Sequence, residues 1–392
     1  MRALISGAGV AGPALAIALG RHGIGATVVE TAEKLRTSGF AVDFRGATHK
    51  SVLTELGVLD ELKAVQTHGG AMRSVDEHGR EIYRLPEEFA GGEVEVRRSD
   101  LSRILYERSL ADAEYRFGDS IAGLTETADG VRVDFAKGES RTFDIVIGAD
   151  GLHSNVRRLA FGPERDHVKH LGYYIAGWDL PNDRGYGTTA VQYNVPGRMA
   201  SVGADFRDPG TAGTLFVFRG ERQDVDWRDL GRQKAMITAA FAGMRWHVPY
   251  LLDTLRDVDE MYFDSISRVR APRWTRGRVA LLGDAAWGVT LGGMGVGTGV
   301  VGAYVLAGEL ALAKGDHRTA FAAYERRMRS YAGRWQRGAS PGQFLAPSSA
   351  ALLWLRNTMF ATKTVQKMMV AGTTRLAADI ALPAYPTEQV SG

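Results

Sequence analysis

Two periods of apolar and polar residues run along the chain. Ala3-Leu4-Ile5 is a short unbroken apolar run ending in glycines, an Ala/Leu-rich stretch reaches Leu19, and Ala26-Thr27-Val28-Val29-Glu30 follows. Apolar runs of that length read as strands buried on both faces, and the stretch between them as a helix, so this segment predicts a right-handed βαβ unit on a parallel sheet. Arg45 to Leu56 has apolar residues at helical spacing and stops at Gly57, suited to a C-terminal cap, and Leu101 to Leu110 repeats the helical pattern. Ser74-Val75 and Glu81-Ile82-Tyr83 flank His78-Gly79 and predict a hairpin.

Beyond residue 120 the period is mostly two. Ile121 to Ile147 alternates in short runs around Asp129-Gly130 and Lys137-Gly138 and ends in Ile145-Val146-Ile147, a meander returning to the parallel sheet. From about His170 to Asp264, strands are expected at Tyr173 to Trp178, Ala190 to Tyr193, Met199 to Val202 and Thr214 to Phe218, forming an antiparallel sheet rich in aromatics. Val279 to Leu282 is one more buried strand. Val300 to Leu312 opens a helical C-terminal region, with Trp335 to Pro347 expected as a loop and Ala350 to Ala371 as a helix. The fold class is α/β: a Rossmann-like domain with a mixed sheet, a smaller antiparallel β domain and C-terminal helices.

Composition changes this picture by exclusion. The 392 residues are 45% hydrophobic and 24% charged, which is globular. Lys+Arg 48 against Asp+Glu 45 leaves a formal net charge of +3, with no run of like charges, so no nucleic-acid partner is expected. With 0 cysteines, thiolate metal sites, Fe–S clusters, disulfides and cysteine redox pairs are impossible, and redox chemistry would need an organic cofactor. His167 and His170 lack a third ligand nearby, so no metal site is expected. The glycine turn comes too early for a secretion signal, and the apolar stretch from Gly299 meets Glu309 short of membrane-spanning length. The expectation is a cytoplasmic protein with no membrane partner, a monomer or weak homodimer.

Chemistry gathers at three glycine-and-acid segments. Gly7-Ala8-Gly9-Val10-Ala11-Gly12 fits GxGxxG between a strand and a helix: Gly7 makes the turn, Gly9 admits a pyrophosphate, Gly12 lets helix and sheet approach, and Glu30, 18 positions after Gly12, would accept ribose hydroxyls. This segment alone does not separate NAD from FAD. The second is Asp144-Ile145-Val146-Ile147-Gly148-Ala149-Asp150-Gly151, running on through His153-Ser154-Asn155-Val156-Arg157-Arg158. The third is Gly277 to Gly283-Asp284-Ala285-Ala286, then Gly292-Gly293-Met294-Gly295-Val296-Gly297 before a helix. A strand-end carboxylate can accept from ribityl hydroxyls, and a glycine-rich helix start can donate to phosphate or a flavin carbonyl. One long ligand touching all three is the economical reading.

In this order, the three motifs resemble those of the class A flavoprotein monooxygenases, the p-hydroxybenzoate hydroxylase superfamily, with the nearest likeness to actinobacterial and tetracycline-inactivating members. The resemblance spans nearly the whole chain. It implies FAD, held by Gly7, Gly9, Gly12 and Glu30 at its ADP half, by Asp43 of Ala41-Val42-Asp43-Phe44, by Arg98 of Arg98-Ser99-Asp100-Leu101, by Asp284 at the ribityl or pyrophosphate region, and by Gly283, Gly293 and Gly295 beside it. Asp150 and Gly151 match a motif tied to both FAD and NAD(P)H, and Arg36, seven positions before Asp43, matches an arginine assigned to NADPH; a solvated surface charge is the other reading of Arg36 and Arg98. The implied domains are FAD-binding over 1–72, 98–169 and 266–392, the last including the C-terminal helices, and substrate-binding over 73–97 and 170–265.

By that resemblance, NAD(P)H visits transiently and reduces FAD, O₂ adds at flavin C4a to give a hydroperoxide, and oxygen passes to an aromatic or polycyclic substrate, with natural-product biosynthesis as the suggested setting. Because the cofactor carries this chemistry, no acid–base pair stands out and no catalytic residue is assigned. Tyr173, Tyr174, Trp178, Tyr193, Phe216 and Phe218 are expected to roof the isoalloxazine. One departure stands out: Trp287 replaces the family's histidine, and Gly288-Val289-Thr290-Leu291 has no proline and is one residue short. Trp287 is either a substrate-stacking surface or, by preference, a core aromatic. Baeyer–Villiger insertion, epoxidation or antibiotic degradation stays open, as does a non-catalytic flavin-binding sensor or chaperone.

Overall fold

The computed structural model describes residues 1–35, 40–68, 70–87, 92–223, 229–291, 295–336, 340–377, 380 and 382–385. Arg2–Ser6 lies at the middle of a six-stranded sheet, between Gly25–Glu30 and Ile145–Gly148; Ala113–Phe117 lies beyond the former, and Val279–Leu281 then Thr275–Arg276 beyond the latter. All pairings are parallel except the last. Its apolar runs are fully buried because helices Ala11–Gly20 and Gly295–Leu312 pack over the strands and against each other. Gly295–Leu312 is apolar enough and long enough to cross a membrane, but it is a core helix, 72% buried. The meander is a separate three-stranded sheet, Ile121–Glu126, Val131–Phe135 and Arg141–Phe143.

The second large sheet has eight strands, chiefly antiparallel. It brings the hairpin Met72–Val75 and Glu81–Leu85 beside Ala190–Val195, Arg198–Ala204, Thr211–Arg219, Val168–Gly177 and Tyr262–Val269, with Asp179–Pro181 paired to Thr211–Arg219. Met72–Val75 joins Ala190–Val195 in parallel.

Three expectations are corrected. The region from His170 to Asp264 also contains helices Leu230–Phe241 and Val248–Thr254, capped by Asp229 and begun by Pro249. The stretch from Trp335 to Pro347 is not all loop: a helix spans His317–Gln336 and a short one Pro341–Leu345. The helix expected from Ala350 breaks at Thr362 into Ala350–Ala361 and Lys363–Ala377.

One buried histidine locks a helix junction. His49 of Gly46–Glu55 accepts from the Arg45 amide at Nδ1 (3.1 Å), so its proton sits on Nε2, facing Tyr331 Oη at 3.0 Å. Its ring fills the space beside Gly297, where a Cβ would lie 2.3 Å from the imidazole. Burial lowers its pKa from 6.5 to about 4. The unfolded chain takes up this proton and the fold does not, so the contribution is complete above pH 6.5 and is lost as pH falls toward 4, roughly 3 kcal/mol in all. The urea midpoint is expected to fall between pH 7.5 and 5, and to fall less in His49→Gln; equal slopes would refute this.

Candidate functional site

Parallel register brings the three motifs to one sheet edge. Ser6 pairs with Val29 on one side and with Gly148 on the other, and Gly148 pairs with Leu281, so the chain leaves all four strands at the same edge. There the segments touch. Gly7, at φ +107°, donates to Val29 O (2.8 Å), and a Cβ on it would lie 2.6 Å from Ala149 O. A Cβ on Gly12 would lie 1.9 Å from Gly7 O, so the helix backs directly onto the turn. Gly283, at φ +63°, approaches Ala11 and Gly299, which closes the third motif onto the first.

The acids divide into braces and open groups. Glu30 accepts from the Ala8 amide (2.8 Å) and the Ala32 amide (2.9 Å), shaping the glycine turn while each oxygen keeps a lone pair. Asp150 is used by the protein itself: Ser6 Oγ (3.2 Å), the Val156 amide (3.0 Å) and Ser154 Oγ all donate to it. Burial raises its pKa and these donors oppose the rise. Asp150 therefore knots its turn to the first strand, and Gly151, at φ +80° with open space beyond it, is the part that faces outward.

Asp284 is the opposite case. Its Oδ1 is buried and has no hydrogen-bond partner among the described residues, and burial raises its pKa against the pull of Arg98. A buried carboxylate oxygen without a donor is costly, and the hydroxyls of a bound molecule would satisfy it. Gly9 has nothing within 4 Å of where a Cβ would stand, so the turn opens onto free space there. The cradle and the orphaned acceptor fit a dinucleotide lying from Gly9 toward Asp284. Asp43 sits on Ala41–Phe44, which pairs with Val94–Arg97 and packs on helix Gly295–Leu312; its carboxylate is ion-paired with Arg45. Arg98 opens helix Arg98–Ser109 and shares its surroundings with Asp284 and Tyr262. Gly295 lies 3.1 Å, by its Cβ position, from Asp284 Oδ1. Arg36 and Gly293 lie outside the described residues.

One side chain that links the motifs escaped the sequence reading. Arg157 is 0% exposed, and its guanidinium donates to Leu152 O (2.6 Å) and Ala285 O (2.9 Å), tying the second motif to the third. Its signal lies in plain view, an arginine soon after Asp150-Gly151, but its partner Ala285 is 128 positions away. Trp287 is a core residue: its indole donates to Thr298 Oγ1 (3.0 Å), and its ring packs against Trp274 at 4.7 Å between centroids. The loop after it is stitched to strand Tyr262–Val269. Thr290 N donates to Ser267 O, Thr290 Oγ1 donates to Ser265 O (both 3.0 Å), and Val269 N donates to Gly288 O (2.8 Å). Leu291 follows at φ +57°, a left-handed conformation uncommon outside glycine.

The expected aromatic roof is corrected by strand alternation. Tyr174, Trp178, Tyr193, Phe216 and Phe218 point to the far face, where they pack with Ile237, Phe241, Val248 and Leu251 of the two helices absent from the sequence reading. The near face carries Tyr173, Ile175, Met199, Val217 and Ile266, packed with Phe40, Tyr262 and Leu291 and capped by Leu345 and Ala346. Gly177 is needed there because a Cβ would strike the Phe40 ring at 2.5 Å. The result is an apolar wall beside Asp284 and Arg98.

Comparison with known proteins agrees with this geometry. Residues 1–177 match a family described as FAD binding domain. A flavin-dependent monooxygenase from Legionella longbeachae is 35% identical, covering 84% of this chain and 86% of that protein. The chain belongs to the flavin-dependent monooxygenases. It is an FAD-dependent oxidoreductase of the class A type, and NAD(P)H is the co-substrate typical of that family. The crystal structure of tetracycline destructase Tet(55) superposes with a TM-score of 0.82 at 32% identity, covering 98% of both chains. That of Klebsiella pneumoniae HpxO complexed with FAD and uric acid has a TM-score of 0.77 at 23% identity over 97% of both chains, a likeness of fold.

The two glycines of the first motif should fail differently. Gly9→Val, pointing into open space, is expected to leave a folded protein that loses its flavin on desalting. Gly12→Val is expected to destabilise the fold by about 3 kcal/mol or more. Thermal melts and released flavin separate the two, and a Gly9→Val protein that stays yellow would count against the cradle.

Proposed function

We propose that this monooxygenase uses NAD(P)H and O₂ to hydroxylate an aromatic or polycyclic small molecule held against the near face of the eight-stranded sheet. The observation carrying this reading is the meeting of an orphaned acceptor, Asp284 Oδ1, with an apolar wall at the edge where the three motifs converge. Bound FAD supplies the redox and oxygen-transfer chemistry. The chain's residues bind and position it: Gly7, Gly9, Gly12 and Glu30 hold the ADP half, Asp284 and Arg98 the ribityl region, Gly151, Gly283, Gly293 and Gly295 line its path, Asp43 with Arg45 supports the flavin side, and Arg36 receives NAD(P)H. Arg157 and Asp150 keep these loops in register, and Tyr173, Ile175, Met199 and Val217 exclude water from the substrate.

The likeness to tetracycline destructase Tet(55) favours an oxygen-rich fused-ring substrate, with inactivation of such an antibiotic as the specific second reading. The protein is expected to purify yellow and release FAD on denaturation. NADPH or NADH consumption is expected to rise at least tenfold with a fused-ring phenol such as a tetracycline, and one atom of ¹⁸O₂ should enter the product by mass spectrometry. Ligand-stimulated oxidation without label in any product would refute oxygen transfer, and the product structure distinguishes hydroxylation from Baeyer–Villiger insertion.

A further inference from the structure

One group of ionisable side chains with no assigned part in holding the cofactor joins the pocket to the surface. His153, two residues after Gly151, spends both ring nitrogens on carboxylates: Nε2 on Asp264 Oδ1 at 3.1 Å and Nδ1 on Glu164 Oε2 at 3.1 Å. Ionised carboxylates only accept, so both nitrogens carry protons and His153 is a cation. Burial pulls its pKa down, but the bonds to Asp264 and Glu164 prevail and raise it from 6.5 to about 9. Asp264 lies on strand Tyr262–Val269, two residues from Tyr262 and on the same face, and its negative charge acts on the Tyr262 hydroxyl and holds the proton there. Tyr262 stands against Phe40 (centroids 5.2 Å apart) in the cluster that includes Leu291, with Arg98 and Asp284 beside it. At the outer end, His153 is 29% and Glu164 32% exposed, and Arg157 and Arg222 face Glu164.

Monooxygenation has a proton requirement: substrate, O₂, NAD(P)H and H⁺ become hydroxylated product, water and NAD(P)⁺, so each turnover draws one proton into a site built to exclude water. We propose that His153 supplies this proton through Asp264 and Tyr262. His153 Nε2 gives its proton to the Asp264 carboxylate. Asp264 passes one to Tyr262 Oη as the Tyr262 hydroxyl proton moves to the oxygen that departs as water. The imidazole, still protonated at Nδ1, regains its Nε2 proton from solvent reaching the part-exposed contact between His153 and Asp264. One proton enters, none is left on the relay, and its residues exchange no electrons. Tyr262 is the catalytic member, and Asp264 and His153 act through it.

The inference rests on the monooxygenase reading, and the two can fail separately. His153→Gln keeps a donor but cannot carry the charge, and Asp264→Asn breaks the middle of the relay. Both are expected to keep FAD affinity within about threefold while the rate of product formation falls roughly 100-fold, within the usual range for proton-transfer groups. The solvent deuterium isotope effect should grow, and the wild-type loss of rate above pH 9 should vanish. In flavin-free protein, NMR titration should place the His153 midpoint near 9, falling in Asp264→Asn. Unchanged rates and pH profiles, FAD affinity falling in step with rate, or a His153 midpoint in the ordinary histidine range would each overturn the relay alone. A wild type that incorporates no oxygen into any product would overturn the functional reading and the relay with it.

Discussion

The site depends on a backbone contact that only glycine permits. The carbonyl of Gly7 sits where a side chain on Gly12 would begin, and Gly7 itself abuts the Ala149 carbonyl. These approaches let the first helix start directly above the strand ends, and parallel pairing of Arg2–Ser6 with both neighbours carries the second motif to the same edge. Gly283 and Gly299 repeat the device against Ala11, so the third motif is located by the first. The cradle is thus made of absences: places where no Cβ stands, bordered by amides and by one carboxylate oxygen lacking a donor.

Around this edge, charge is handled in two ways. Asp150 is buried and answered by groups of the protein, and the buried Arg157 spends both terminal nitrogens on backbone carbonyls, so both residues hold loops in place. Asp284 is buried and only partly answered, which suits it to a ligand. Burial alone does not tell these apart. The count of donors around each carboxylate does, and it separates residues that shape the site from those that face what enters it.

Much of the fold was legible because its signals are local. The βαβ unit, the hairpin at His78-Gly79 and the helix from Arg98 lie within single windows of sequence, and the glycine fingerprint states its own geometry. What was illegible depends on distant partners or on facing. His153 and Asp264 are 111 positions apart, and no spacing announces that they meet. The aromatics of strands Val168–Gly177 and Thr211–Arg219 were visible, but their direction was not: Tyr173 and Tyr174 look equally suited to a pocket until helices Leu230–Phe241 and Val248–Thr254 are seen to cover one face. Those helices were hidden among strands because few of their positions are buried, Gln233, Ile237 and Phe241 in the first, so no clear apolar stripe marks them.

The loop at Gly288 to Leu291 shows how one constraint replaces another. A proline ring stiffens a segment in the unfolded chain as well as in the native one, whereas a threonine clasp exists only after the strand beside it has formed. Here Thr290 borrows its shape from Ser265 and Ser267. The loop after Trp287 and the wall carrying Tyr262 are consequently one mechanical body, assembled together and displaced together.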